Sequence, residues 1–409
     1  MSDSGSTALY LAYWSLQDPL CQSQSLPYLR DLAAAGHRSV LVTWEQPRYR
    51  FDPDAEKREQ VRLAASGILW HPLTYHAGAS LRANALDLWQ GVLAGLRLCA
   101  RHGLRLVHAR GSIAAIVGAV VATLSGRTFL FDADSPISEE YADTGHWRRE
   151  SLACRLTRRG EAYALGRADA IVTLSERRAR EMSQARRHAV PVTAIPCCVD
   201  VDRFTGAAAS RDERRDRLGA GERRVLVYLG KLGPRYLTTE LFRFAAAVSR
   251  AHDVMVLVLS QDVAEPFERQ AAAAGLDPSS VRIMTAAPDD VPAWLSACDA
   301  GLAFVNPTPV ERASSPIKVA EYLASGMPVV ITPGIGDFSG RLDEEGVGVT
   351  LTALDGAALA AGAWQLARLW GDGEALRARC QSFASTRLSV TTTAAPRYRK
   401  VYAQLLEHR

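Results

Sequence analysis

Nothing in the 409 residues approaches the run of about 20 apolar side chains that a helix needs to cross a bilayer. The opening stretch MSDSGSTALYLAYWS has no basic flank and only a short apolar run, so it is expected to be a first strand rather than a signal peptide. The seven cysteines are odd in number, scattered and without CxxC spacing. That pattern argues against a disulfide framework or a zinc site and fits a reducing cytoplasm. A net charge of +4 is mild for this length and argues against a dedicated nucleic-acid binder, while leaving local basic patches open. No metal-ligand cluster and no nucleophile with its base stands out, so no metal, no cofactor and no covalent mechanism is expected. There is no internal repeat and no low-complexity segment.

What the chain has instead is 48% hydrophobic residues, enough for two sizeable cores. Apolar strands alternate with helical stretches: Ala8–Trp14, residues 39–44 (SVLVTW), 67–70 (GILW) and 105–112 (RLVHARGS), then TFLFDADSPISEEYAD at 128–143. Such an order predicts a parallel sheet with helices on both faces and ligands at the carboxyl edge. Asp18, Gln22 and Gln24, after the first strand, are candidate polar contacts there, although Asp18 beside Pro19 can also simply shape a turn. His108 and Arg110 end a later strand on the same edge; a histidine so placed is commonly a packing or capping residue. Asp132, Asp134, Glu139 and Glu140 can be ligand contacts or helix-start charges. Alternation restarts at RVLVYLGKLGPRY, 224–236, where Gly230 and Gly233 let backbone approach a ligand and Lys231 and Arg235 bring charge.

The densest signal is SSPIKVAEYLASGMPVVITPGIGD, 314–337. It predicts a helix opening at Pro316 with Ser315 capping it, a stop at Gly326 and a buried strand Val329–Ile331. Free amides at the helix start favour an anion, and Lys318 in the first turn adds a full charge. Glu321, three residues on, can share that face and accept hydrogen bonds from sugar hydroxyls. The other reading is a surface helix bearing an ion pair.

SSPIKVAEYLASGMPVV resembles the nucleotide-sugar signature of the retaining GT-B glycosyltransferases of family four, in its SSPxKxxEYLAxGxPVV version. The resemblance implies two doubly wound Rossmann-like α/β domains facing across a cleft, with 1–205 binding acceptor, 206–385 binding donor and 386–409 a helix crossing back. It implies that the helix end with Ser314, Ser315 and Lys318 faces the donor diphosphate and that Glu321 holds the ribose. Gly230 and Gly233, with Lys231 and Arg235, would meet the diphosphate, and the loop with Ala287 the nucleobase through backbone groups. Many members carry a Glu eight positions before the ribose Glu; here Ala313 stands there, with Glu311 out of step.

In the first half the resemblance runs through DPLxQSQxLPYLRxLAxxGH, ADAIVTLSE and AIPCCVDVDRF. It assigns Asp18, Gln22, Gln24, His108, Asp132 and Glu140 to the acceptor, and Arg110 to the second position of the HxH that relatives often have. Arg110 cannot be a general base, but it can hold phosphate or an acceptor anion. The implied reaction moves a sugar from a nucleotide-diphospho-sugar to an acceptor hydroxyl of a saccharide, glycolipid or small molecule, with retention and without a metal. A sugar-nucleotide epimerase or phosphorylase, or an inactive binding protein, are the alternatives. The arginine-rich stretch 148–188 is solvated helix face or a contact for anionic membrane.

Overall fold

A computed structural model describes residues 8–76, 81–185 and 190–407. The chain divides into two compact units, one made of residues up to Pro196 together with Thr393 onward, the other of Cys197–Thr392.

The first unit holds strands β1 (Ala8–Ala12), β2 (Ser39–Glu45), β3 (Ile68–Thr74), β4 (Leu106–Arg110), β5 (Thr128–Ala133), β6 (Ala170–Thr173) and β7 (Val192–Ala194). They pair in the order β3-β2-β1-β4-β5-β6-β7, all parallel. Near-continuous apolar strands are what such a sheet requires, because both faces are covered. In β1, Leu9 and Leu11 join one core while Tyr10 and Ala12 join the core on the opposite face. Strand β3 runs on through Pro72, which an edge strand tolerates because its outward amide has no partner to lose. Tyr13 and Trp14, expected as strand, lie beyond the end of β1.

The second unit holds β8 (Arg224–Leu229), β9 (Val254–Leu259), β10 (Val281–Met284), β11 (Ala300–Ala303), β12 (Val329–Ile331) and β13 (Gly348–Thr350), parallel in the order β10-β9-β8-β11-β12-β13. The charged segment after 210 forms the helix Arg211–Leu218, whose Arg211 and Arg215 grip Asp299 before β11.

Both expected borders move outward. Val199, Val201 and Phe204 pack in the second core, and Val199 exchanges backbone hydrogen bonds with Leu388 and Val390. Residues 197–205 and 386–392 therefore belong to the second unit, and the helix Ala395–Glu407 closes the first.

Candidate functional site

The helix of the 314–337 motif runs Ile317–Ala324. Pro316 is its N-cap, and the expected Ser315 cap is not made: the Ser315 hydroxyl instead accepts the Cys197 amide at 3.1 Å. Tyr322 fixes the helix in place. Its ring lies over Gly301 of β11, where any Cβ would come within 2.1 Å of it, and its hydroxyl accepts the Leu229 amide at 2.7 Å.

With the helix so held, Lys318 is buried at 7% exposure, yet its Nζ makes no hydrogen bond. The ammonium lies 4.5 Å from the ring centres of both Tyr228 and Tyr236, within cation–π range. A Cβ on Gly230 would stand 2.7 Å from Nζ, so the glycine is what lets the loop after β8 pass that close. Burial, and then the Arg235 charge, push the lysine down to about 7. Burial likewise raises Glu321 to about 7, with Lys318 and Arg203 pulling it back. Lys318 and Glu321 form no ion pair, so the bland reading of this helix does not hold. The result is a cation held ready and left without a hydrogen-bond partner at a helix start, a place that favours an anion.

Arg235 is engaged differently: Nε and Nη2 meet the Glu311 carboxylate at 2.6 and 3.3 Å. Glu311 is buried, and its carbonyl accepts from the Ser314 hydroxyl and the Gly336 amide. Gly336, at φ +47°, passes so close to the Ser314 carbonyl that no side chain fits there. Lys231 is exposed, while its carbonyl receives the Tyr228 hydroxyl. Gly233 adopts φ +137°, a conformation suited to glycine. Ala287 is exposed, and its carbonyl accepts the Asp290 amide.

In the first unit, Arg110 Nη1 meets Asp132 Oδ2 at 2.6 Å and Tyr398 Oη at 3.0 Å. The Tyr398 hydroxyl donates to the same carboxylate oxygen at 2.5 Å. His108 Nδ1 lies 2.9 Å from the Tyr402 hydroxyl, and Gln24 Oε1 accepts from Arg110 and Tyr28. Burial works against the Asp132 charge, but the Arg110 guanidinium and the bonds from His108 and Tyr398 hold the carboxyl down to about 2. Burial lowers His108 from its ordinary value, with Asp132 pulling it back up. The sequence reading made Arg110 a cation for phosphate; the geometry places its charge on Asp132, inside a cluster shared with the last helix. Asp18 caps the helix Pro19–Gln24 through the Leu20 amide, and Gln22 donates to the Leu16 carbonyl. Glu140 accepts from Ser135, on a turn beside Asp134, which burial raises to about 6.

Residues 24–198 match the family described as glycosyl transferase 4-like domain, and 223–369 match glycosyl transferases group 1. The chain is a family-four glycosyltransferase. Its fold is similar to that of HepE from Anabaena in complex with UDP, at TM-score 0.70 and 17% identity, covering 97% of this chain and 100% of that one. It is also similar to sucrose-phosphate synthase from Thermosynechococcus elongatus, at 0.74, 15%, 99% and 100%, and to WaaG, a glycosyltransferase involved in lipopolysaccharide biosynthesis, at 0.67, 16%, 97% and 99%. Two Rossmann-like parallel sheets are the shared GT-B architecture. Among curated proteins, no sequence matches it.

Several groups of this glycosyltransferase escaped the sequence reading. Tyr228 and Tyr236 flank the lysine, although both lie in the 224–236 stretch whose glycines and cations were singled out. Tyr398 and Tyr402 complete the Asp132 cluster from almost 300 residues away, a distance at which no local pattern gives a signal.

Proposed function

We propose that this glycosyltransferase takes a nucleoside-diphospho-sugar in its second unit and transfers the sugar, with retention, to an acceptor hydroxyl. What carries the reading is Lys318: a buried ammonium without a hydrogen-bond partner, at a helix start and against a glycine that admits its close approach. A diphosphate docked there satisfies the helix amides and the ammonium together, and both act most strongly as the leaving phosphate gains charge. Glu321, one turn on and unpaired, is placed to accept the ribose hydroxyls. Lys231 and the Gly230–Gly233 backbone line the approach, and Arg235, braced by Glu311, contributes a second positive charge. Because Glu311 is committed to Arg235, it does not replace the acid missing at Ala313. Asp18, Gln24, His108, Asp132 and Arg110 then shape the acceptor side from within rather than touching acceptor, whereas Gln22 and Glu140 are half-buried.

None of the described helices is long and apolar enough to cross a membrane. The helix Leu152–Arg167 nevertheless exposes Leu152, Leu156 and Tyr163 interleaved with Arg155 and Arg159. This pattern supports a peripheral contact with an anionic lipid surface. Arg186 and Arg187, also part of the basic stretch, lie outside the described residues.

The deciding experiment is calorimetry with UDP-, GDP- and ADP-sugars, followed by turnover with an acceptor panel and assignment of the product anomer by NMR. Nucleotide release only when acceptor is present, with the anomer retained and EDTA without effect, is the expected result. Epimerised donor in the absence of acceptor would replace the reading.

A further inference from the structure

Beyond the clusters already described, the carboxyl edge of the first sheet carries a second buried carboxylate. Asp87, fully buried on the helix Leu81–His102, receives the Tyr13 hydroxyl at 2.6 Å, the Gln90 amide at 3.1 Å and the His76 backbone amide at 3.2 Å. His76 Nδ1 approaches the same group at 2.6 Å. The buried carboxyl thus gathers three donors and also fixes the imidazole, with Nδ1 turned to Asp87 and Nε2 left for a ligand. The His76 side chain is 39% exposed, and no described residue bonds to its Nε2.

The surroundings are aromatic. Tyr13 lies 5.1 Å from Trp44 and 5.8 Å from Tyr75, ring centre to ring centre, with the planes tilted by 58° and 60°. Tyr13 and Tyr75 are half-buried and offer partial ring surface to solvent, while Trp44 beneath them is fully buried and donates its indole N–H to the Asp87 carbonyl. Tyr141, after β5, lies within electrostatic reach of both tyrosines. Tyr13, Tyr75, His76 and Tyr141 follow the ends of parallel strands, where ligands of such sheets bind.

We propose that His76, oriented by Asp87, and the Tyr13–Tyr75 ring pair form the acceptor subsite, and that it takes a saccharide. A pyranose has an apolar C–H face to lie on tilted rings and a hydroxyl rim that can hydrogen-bond Nε2, which matches what this patch offers. The subsite rests on the transferase reading but makes no use of the lysine site.

The test is saturation-transfer NMR on the full chain loaded with UDP, using a panel of p-nitrophenyl hexosides, with UDP affinity measured in parallel. The wild type should saturate the sugar-ring protons of at least one glycoside. His76→Ala, Asp87→Asn and Tyr75→Ala should each weaken that binding by about tenfold or more while UDP affinity stays within twofold. His76→Gln, which keeps a polar group but loses the ring that Asp87 orients, should recover little. Overturning results are glycoside binding unchanged in His76→Ala, or a lowered melting temperature of that variant as its only effect, or UDP binding without binding of any glycoside. Failure of UDP itself to bind the wild type would instead remove the transferase reading on which the subsite rests.

Discussion

Replacing Lys318 by methionine should make the empty protein more stable and the enzyme nearly inert. In the unfolded chain the lysine holds its proton up to its ordinary value of 10.5, whereas burial and Arg235 bring it to about 7 in the fold. Below pH 7 both states carry the charge and folding bears the full disadvantage; between 7 and 10.5 the folded lysine sheds its proton and the disadvantage fades; above 10.5 it is gone. At pH 7 the difference amounts to roughly 4 kcal/mol. Methionine fills similar volume without charge, and a domain of this size gains about 2–4 °C per kcal/mol. Differential scanning fluorimetry should show Lys318→Met melting on the order of 10 °C above wild type at pH 7, with the gap closing by pH 10.5. The same variant should turn over at least a hundredfold more slowly, as when one preorganised donor is removed from a developing anion. In the wild type, nucleoside diphosphate restores the ammonium, so binding should take up a proton above pH 7 and weaken as pH rises. Calorimetry in buffers of different ionisation enthalpy reads that uptake. A Lys318→Met protein that melts lower than wild type at pH 7, or binds nucleoside diphosphate normally, would refute the reasoning.

Glu321→Gln should raise the donor KM without lowering the melting temperature, since a carboxyl raised to about 7 burdens the fold above pH 7 rather than supporting it; a marked melting loss with normal kinetics would return Glu321 to a structural role. Arg110→Met should leave Asp132 buried without its countercharge and lower stability by on the order of 3–5 kcal/mol; unchanged melting with lost turnover would instead restore Arg110 to the chemistry. Because Asp132 is lowered from 3.8 to about 2, its contribution of about 2 kcal/mol is present above pH 3.8 and disappears as pH falls through 2, which acid titration of wild type against Asp132→Asn will show. Liposome sedimentation should be salt-sensitive and fall in Leu152→Ser and Arg155→Gln, and equal binding to neutral liposomes would end that idea.

The parallel strands were legible because both faces of each sheet are covered: β1 and β9 are apolar and buried throughout, and the interrupted strands β3 and β10 are edges. The position of Lys318 was equally readable, since proline, lysine and the glycine stop are local signals. Its burial was not. That depends on Tyr322 crossing Gly301 and on Tyr228 and Tyr236 arriving from another strand and loop. Arg110 misled for a related reason: sequence shows its charge, but only the fold shows that Asp132 answers it from the neighbouring strand. The His76–Asp87 pair gave no warning at all, because an eleven-residue spacing across a strand end and a helix matches no local motif.

The Asp132 cluster also bears on the order in which the chain can mature on the ribosome. Strands β1 to β7 emerge first, yet Arg110, Asp132 and His108 receive Tyr398 and Tyr402 only after the whole second unit has been made. Until then the first unit has a charged, incompletely bonded seam where its last helix belongs, and nascent chains stalled before residue 393 should be held by chaperones or cut by proteases. The helix Ala395–Glu407 can therefore complete the first unit only after the whole second unit has been synthesised.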